Sequence, residues 1–221
     1  MKKLLNLSVA LILISIVIFQ SGCLEKFSND KYPDVVADTY TINGTLKYKQ
    51  TDFDGTSLVD WSFGEATVSA VVNGNNVIAS TLIEADGTFA LVLPGTLPGA
   101  YFSSLSAIAA QQGGTIKATP DSVRLFGSTQ FKVDYTSLDK PRSLYISLAS
   151  HNADLTVNRT YFFNFYDRDG TFIGKGTAGN VFNWTFTKGW GLVESYITNA
   201  TTKTFNSKSI TAIPSGAEWS N

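Results

Sequence analysis

Apolar and polar side chains alternate along most of this chain. In the segment 181–187, for example, Phe182, Trp184 and Phe186 are each followed by a polar residue. Because successive side chains of an extended strand point to opposite faces, this alternation predicts a half-buried strand. Similar segments recur at short intervals, separated by the Gly, Asn, Asp and Pro residues that favour turns. The predicted strands are 40–48, 66–72, 77–84, 88–93, 115–118, 122–126, 130–135, 143–149, 160–166, 171–175, 181–187, 191–198 and 203–209.

One segment has a helical period instead. In 101–112, Leu105, Ile108 and Ala109 fall on one helix face, and the pair Gly113-Gly114 is a natural stop. The pattern as a whole therefore predicts an all-β protein with one short helix near 101–112.

Two similar turns bear on the number of modules. The segments 84–89 and 167–172 both contain Asp-Gly-Thr-Phe, and Asp-Gly between apolar runs predicts a hairpin with a type I′ turn. The repeat favours two Greek-key or Ig-like β-sandwich modules, 39–136 and 137–221. Asp-Gly turns are common in β proteins, so a single sandwich remains the alternative.

The first 22 residues follow a different pattern. Lys2 and Lys3 precede a nearly continuous apolar run, Leu4 to Phe19, and small or polar residues then lead to Cys23. This is the layout of a secretory leader. The run is shorter than the ~20 residues that span a bilayer, which argues against an uncleaved membrane anchor. An ordinary secretory signal, with Cys23 as a bystander, is the other alternative. The polar segment 23–38 is predicted to be a tether.

The end of the leader resembles the lipobox of bacterial lipoproteins. The residues concerned are Ser21, Gly22 and Cys23, and the departure is Gln20, which stands where an aliphatic residue is common. The resemblance implies that residues 1–22 are a lipoprotein signal peptide and that Cys23 is lipidated. It further implies a protein held in the outer membrane of the cell envelope, facing the periplasm or the surroundings.

Composition removes several classes of chemistry. The formal net charge of −1 becomes −3 without Lys2 and Lys3, which gives no basic footprint for nucleic acid. Cys23 is the only cysteine and His151 the only histidine, so no Cys-based or multi-His metal site can be built. We find no G-x-S-x-G elbow, phosphate loop or dinucleotide fingerprint. The sequence therefore predicts a protein without a cofactor or metal that is not an enzyme.

The aspartate-glycine segments, His151 and Trp190 are the candidate functional sites. The segments 52–55 and 167–170 each pair two aspartates with a glycine, but the further ligands of a calcium loop are missing, which favours plain turns. His151 lies between Ser150 and Asp154, an arrangement that more often is a loop histidine than a nucleophilic centre.

Trp190 is the candidate ligand-binding residue. It lies between Gly189 and Gly191, so we expect it to be exposed at a turn, where an aromatic ring can stack on a sugar. Trp184 alternates with other aromatic residues and is predicted to lie in the core.

Two further resemblances suggest a role. The segments 41–44, 64–68 and 84–94, with sequences TING, GEATV and EADGTFALVLP, resemble the carboxypeptidase regulatory-like, transthyretin-type sandwich. The segments 165–170 and 186–193 resemble uncharacterised Bacteroidota lipoproteins. These resemblances imply a lipid-anchored envelope protein with a non-catalytic binding or structural role. The alternative is a surface glycan-binding lipoprotein of a polysaccharide uptake system, and a hydrolase ranks third. The expected partners are the membrane, through Cys23, and a glycan or another envelope protein.

Overall fold

The computed structural model describes residues 32–52, 55–72, 76–127, 129–137, 140–152 and 157–221. The predicted leader, Cys23 and residues 24–31 of the tether lie outside the described residues. The elements, in chain order, are β1 (Val35–Val36), β2 (Tyr40–Asp52), β3 (Gly55–Asp60), β4 (Ala66–Val72), β5 (Asn76–Ile83), β6 (Thr88–Leu93), β7 (Thr96–Leu97), a 3₁₀ turn (Gly99–Tyr101), β8 (Ser103–Ser104), α1 (Leu105–Gln112), β9 (Lys117–Thr119), β10 (Arg124–Phe126), β11 (Gln130–Ser137), β12 (Lys140–His151), β13 (Val157–Tyr166), β14 (Gly170–Lys175), β15 (Val181–Phe186), β16 (Gly189–Asn199), β17 (Thr204–Ile210) and β18 (Glu218–Ser220).

The fold is an all-β, sandwich-like arrangement, as the alternating pattern predicts. The main hydrogen-bonded path runs β3-β2-β18-β12-β13-β16-β17-β15-β14-β9. A four-stranded layer, β5-β4-β11-β12, branches from this path at β12, and β6 branches from β2. The sheet is not closed, because β5 and β6 each have only one hydrogen-bonded neighbour among the described strands.

Two hydrophobic clusters lie on opposite sides of the β13–β16 pair. Phe163 and its cross-strand partner Leu192 belong to a cluster with the inner faces of β2, β4, β6, β11 and β12. Tyr166 and Val193 point the other way, into a cluster formed with α1, β14 and β15. The alternation of side chains along a strand explains how one strand pair serves both clusters.

The helix α1 begins later than predicted. Ser104 caps α1 by accepting a hydrogen bond from Ala107 N–H at 3.3 Å, and residues before it form the 3₁₀ turn and β8. A serine at the cap is favoured because its hydroxyl satisfies a free backbone donor of the first turn. The helix ends at the predicted glycine pair, where Gly113 has a φ of +63°.

The two Asp-Gly segments differ from the predicted hairpins. At 84–87, Gly87 N–H donates to Glu84 C=O at 2.9 Å, but only Gly87 has a positive φ, so the type I′ prediction is wrong. The strands that flank this turn are not paired with each other, since β5 pairs with β4 and β6 pairs with β2. At 167–170 the flanking strands β13 and β14 have other partners, and the chain turns a corner rather than forming a hairpin.

The boundary expected near 137 does not coincide with a break in the core. It falls in the β11–β12 connection, where the two strands pair from Ser137↔Lys140 to Phe131↔Ile146. The cluster on the β2 side contains residues from both predicted modules. The predicted tether also has a structured end, because β1 pairs with β7 and Val35 is buried.

Candidate functional site

Trp190 is half-buried within β16 and does not lie exposed at a turn. Its indole N–H donates to Pro94 C=O at 2.8 Å. Its ring packs edge-on against Phe165 and Phe126, with centroids 5.1 and 6.1 Å away. The expectation of an exposed ring is therefore wrong, because the cross-strand neighbour Phe165 directs Trp190 toward the interior. Its role in ligand binding stays a prediction.

His151 and Ser150 are not brought together as a nucleophile and base. Ser150 Oγ lies 2.9 Å from the Tyr161 hydroxyl, and the β12–β13 pairing shifts register between Ser150 and His151. Nδ1 of His151 has no hydrogen-bond partner among the described residues. Burial lowers the pKa of His151, the nearby Glu218 carboxylate raises it and the Lys49 charge lowers it, with a net value below the ordinary one. Asp154 lies outside the described residues.

The aspartates at 167–170 have structural partners. Asp167 is buried, and its carboxylate accepts from the backbone N–H of Arg124 at 2.8 Å and from its Nε at 2.9 Å. Arg168 adds a second ion pair at 3.2 Å. Asp169 accepts from Lys188 N–H at 2.7 Å. Both aspartates thus accept a backbone N–H group, and their bonds join the corner after β13 to β10 and to the start of β16.

A second buried carboxylate, Glu194, was not singled out by sequence reasoning. It forms ion pairs with Arg159 and with Lys208, the latter at 3.6 Å. The Arg159 guanidinium also lies 4.9 Å from the centre of the Tyr196 ring. Both cations come from strands that neighbour β16, so the cluster ties β13, β16 and β17 together.

The outer surface of the β5-β4-β11-β12 layer carries two cross-strand rows of mostly polar side chains, which we call the ladder face. One row is Leu82, Thr67, Asp134 and Ser143, and the next is Ser80, Ser69, Lys132 and Tyr145. The side chains at the intervening positions, among them Val68, Val133 and Ile146, point inward and belong to the core. Strand alternation thus places eight residues from four strands on one side of this layer, and seven of them are exposed or partly exposed, whereas Ser69 is buried.

Charges on the ladder face are paired with one another. Lys132 Nζ lies 2.9 Å from Asp134 Oδ1, and the Ser143 hydroxyl donates to the same carboxylate oxygen. Partial burial alone would raise the pKa of Asp134, but the hydrogen bonds from Ser143 and Lys132 and the Lys132 charge outweigh it and hold that pKa below its ordinary value. Asp134 is therefore ionised at neutral pH, and Lys132 and Ser143 hold its carboxylate in place.

Tyr145 is the only aromatic side chain among the described residues that is exposed, with 54% of its surface accessible. It is the cross-strand partner of Lys132. An open groove of about 500 Å³ begins at the Asp134–Ser143 end of the same surface and also contacts Glu65, Thr136 and Arg142. The sequence pattern could have indicated that Tyr145 faces outward, because Tyr145 lies between the inward-facing Leu144 and Ile146.

In the part of the chain that the structure describes, no three His, Cys, Asp or Glu side chains are grouped so that they could hold a metal ion. Within the same residues, none of the helical segments has the length and apolar character needed to cross a membrane.

Comparisons with known proteins give no relative for this chain. No protein-family model, curated protein or solved structure matches it.

Proposed function

We propose that this chain is a lipid-anchored protein of the cell envelope whose β-rich body has a non-catalytic binding or structural role. The observation that carries the proposal is Cys23, the single cysteine, placed directly after a charged start, a 16-residue apolar run and a small-residue cut site. The resemblance of Ser21-Gly22-Cys23 to a lipobox supports acylation of that cysteine.

The anchor's chemistry explains how attachment is stable. Each buried CH₂ of an acyl chain contributes about 0.8 kcal/mol, so one chain holds a protein marginally and two or more hold it durably. Acylation of Cys23 would consume the only thiol. The stability of the body would then depend on its hydrophobic core, without disulfides. We place the protein in the outer membrane, on the periplasmic or the outer side.

Several contacts support a non-catalytic body. The Ser150 hydroxyl pairs with Tyr161 instead of His151, and the Asp167 and Glu194 carboxylates are occupied by arginine and lysine side chains. Such pairs hold strands in place and leave those groups committed to structural bonds. We also propose that residues 39–95 form a module of the carboxypeptidase regulatory-like type, on the basis of the segments named above.

The second candidate function is glycan binding at the cell surface, as part of a polysaccharide uptake system. One observation favours it: the exposed Tyr145 ring lies opposite Lys132 on the neighbouring strand, on the same side of the layer as the Lys132–Asp134 pair and the Ser143 hydroxyl. Aromatic rings combined with directional polar groups are typical of recognition surfaces.

Metabolic labelling tests the anchor. Cells expressing the full chain are grown with a clickable palmitate analogue, and the protein is followed through membrane fractionation. We expect label in the protein and recovery in the outer-membrane fraction, with both lost in Cys23→Ala. Ser21→Ala serves as the matched control, since it keeps a small residue and the cysteine. An unlabelled wild-type protein, or a Cys23→Ala protein that fractionates unchanged, contradicts the proposal.

A further inference from the structure

The ladder face combines the exposed ring of Tyr145 with the accessible hydroxyl residues Thr67, Ser80 and Ser143. Tyr145 stands at one end of its row and Leu82 at the opposite end of the other, three inter-strand spacings away. With about 4.8 Å per spacing and an offset of two residues, about 6.8 Å, along the strands, these two apolar groups are roughly 16 Å apart. The surface between them is polar, so it is not a contiguous apolar patch of the kind that protein partners cover.

The charges on and beside this surface balance. Lys132 and Asp134 neutralise each other at 2.9 Å, and the adjoining groove carries one acidic and one basic residue, Glu65 and Arg142. A surface without a net charge gives no electrostatic preference for an anionic or cationic ligand. Complementarity therefore favours a neutral ligand.

The ladder face nevertheless offers strong hydrogen-bonding groups. An ammonium group has three donors and a carboxylate about four acceptor positions, so the Lys132–Asp134 pair retains capacity beyond its mutual bond and the bond from Ser143. Hydrogen bonds to charged groups are stronger than those between neutral groups. Adjacent donor and acceptor atoms of this kind match the neighbouring hydroxyls of a sugar, while the Tyr145 ring matches the apolar C–H face of the sugar ring.

We propose that the ladder face is a binding site for neutral oligosaccharides, with Tyr145 as the stacking platform and the Lys132–Asp134–Ser143 group as the hydroxyl-binding element. This inference rests on the proposed binding role and names its ligand class. It assigns the contact to Tyr145 instead of Trp190, whose indole N–H is held by Pro94 C=O.

The test uses the full-length chain, solubilised in detergent, on an array of neutral glucan, mannan and xylan oligosaccharides beside acidic uronic-acid oligosaccharides. We expect binding to at least one neutral series and none to the acidic series. Dissociation constants for the best neutral oligosaccharide are then measured by titration calorimetry.

Substitutions on the ladder face separate stacking from folding. Tyr145→Ala should weaken binding about fivefold or more, whereas Tyr145→Phe should stay within about twofold because the ring is kept. Asp134→Asn should weaken binding, since the charge-assisted bonds are lost. Ile173→Ala is the matched control, because Ile173 is also exposed and lies on β14. Thermal denaturation of each variant checks that the fold is retained.

Each remaining outcome overturns the proposal. These are no binding to any neutral oligosaccharide, binding unchanged by Tyr145→Ala, or stronger binding to the acidic series. A wild-type dimer that Tyr145→Ala converts to a monomer would assign the surface to a second copy of the chain. None of these results affects palmitate labelling at Cys23, so a failure here is distinguishable from a failure of the envelope proposal.

Discussion

At the scale of single residues, His151 is a half-buried titratable group whose Nδ1 has no hydrogen-bond partner among the described residues. Its pKa lies below the ordinary value because burial disfavours the charged imidazolium, with Lys49 acting in the same direction and Glu218 against it. A partly buried histidine with an unpaired Nδ1 is more easily protonated in the unfolded chain than in the folded one. Proton uptake on acidification therefore favours the unfolded state.

The sign of the resulting pH dependence follows from linkage. The histidine's contribution to stability is fully present above its unfolded pKa of about 6.5 and is lost as the pH falls through the lower folded value. We expect the wild-type protein to lose more stability than His151→Asn between pH 7.5 and pH 5.5, measured by urea denaturation. Since His151 is the only histidine, its folded pKa can also be read directly by proton NMR. A folded pKa above 6.5, or equal losses in the two proteins, would show that burial does not control this group.

At the scale of elements, β2 packs against two aromatic rings at a point with no spare volume. A Cβ added at Gly44 would lie 2.6 Å from both Phe89 Cζ and Trp219 Cδ1. Both rings are buried, and Trp219 also packs against Phe131 at 4.8 Å between centroids. The close approach of β2 to these rings is therefore possible only for glycine.

Gly44→Ala should destabilise the protein by about 1 to 3 kcal/mol, because overpacking displaces rings that have no free space. The matched control is Asn43→Ala at the preceding, exposed position, where we expect a change of about 0.5 kcal/mol or less. Both variants are compared by chemical denaturation at constant pH. If Gly44→Ala were as stable as Asn43→Ala, the strand would have to shift freely over Trp219.

Individual strands show which parts of the fold the local sequence pattern predicts. The strands 66–72 and 88–93 form with the predicted bounds, because alternation and flanking turn residues are local signals. The three-residue strand β18 is not predicted, although it lies between β2 and β12 in the sheet. Its position depends on pairing with residues far away in sequence, which no local period reports.

The ladder face was predictable only in part. Alternation indicates that Tyr145 faces away from Leu144 and Ile146, but it does not say that Lys132 and Asp134 lie on the neighbouring strand and on the same side of the layer. That arrangement requires the register of β4, β11 and β12, which the β11–β12 hairpin and the β4 pairing set together. Trp190 shows the converse error, because flanking glycines suggested a turn where the structure has a strand.

At the scale of the whole molecule, the clusters are linked across the predicted module boundary. The cluster on the β2 side contains Leu46 from the first half of the chain and Leu192 and Trp219 from the second half. A third cluster includes Val35, Phe126 and Phe165, and Trp190 packs against both it and the first cluster. Removing either half of the chain would thus expose the apolar core of the other.

We therefore expect the body to unfold in a single cooperative transition, in spite of the repeated Asp-Gly-Thr-Phe segment. In differential scanning calorimetry, the calorimetric and van't Hoff enthalpies should agree, as they do for a two-state system. Trp219→Ala should lower the midpoint of this one transition without splitting it, since burial of a Trp in a shared core contributes about 3 to 5 kcal/mol. Trp61→Ala, in the same cluster but from the first half of the chain, should act on the same transition. Two separate transitions, with Trp61→Ala and Trp219→Ala shifting different ones, would instead establish two independent modules.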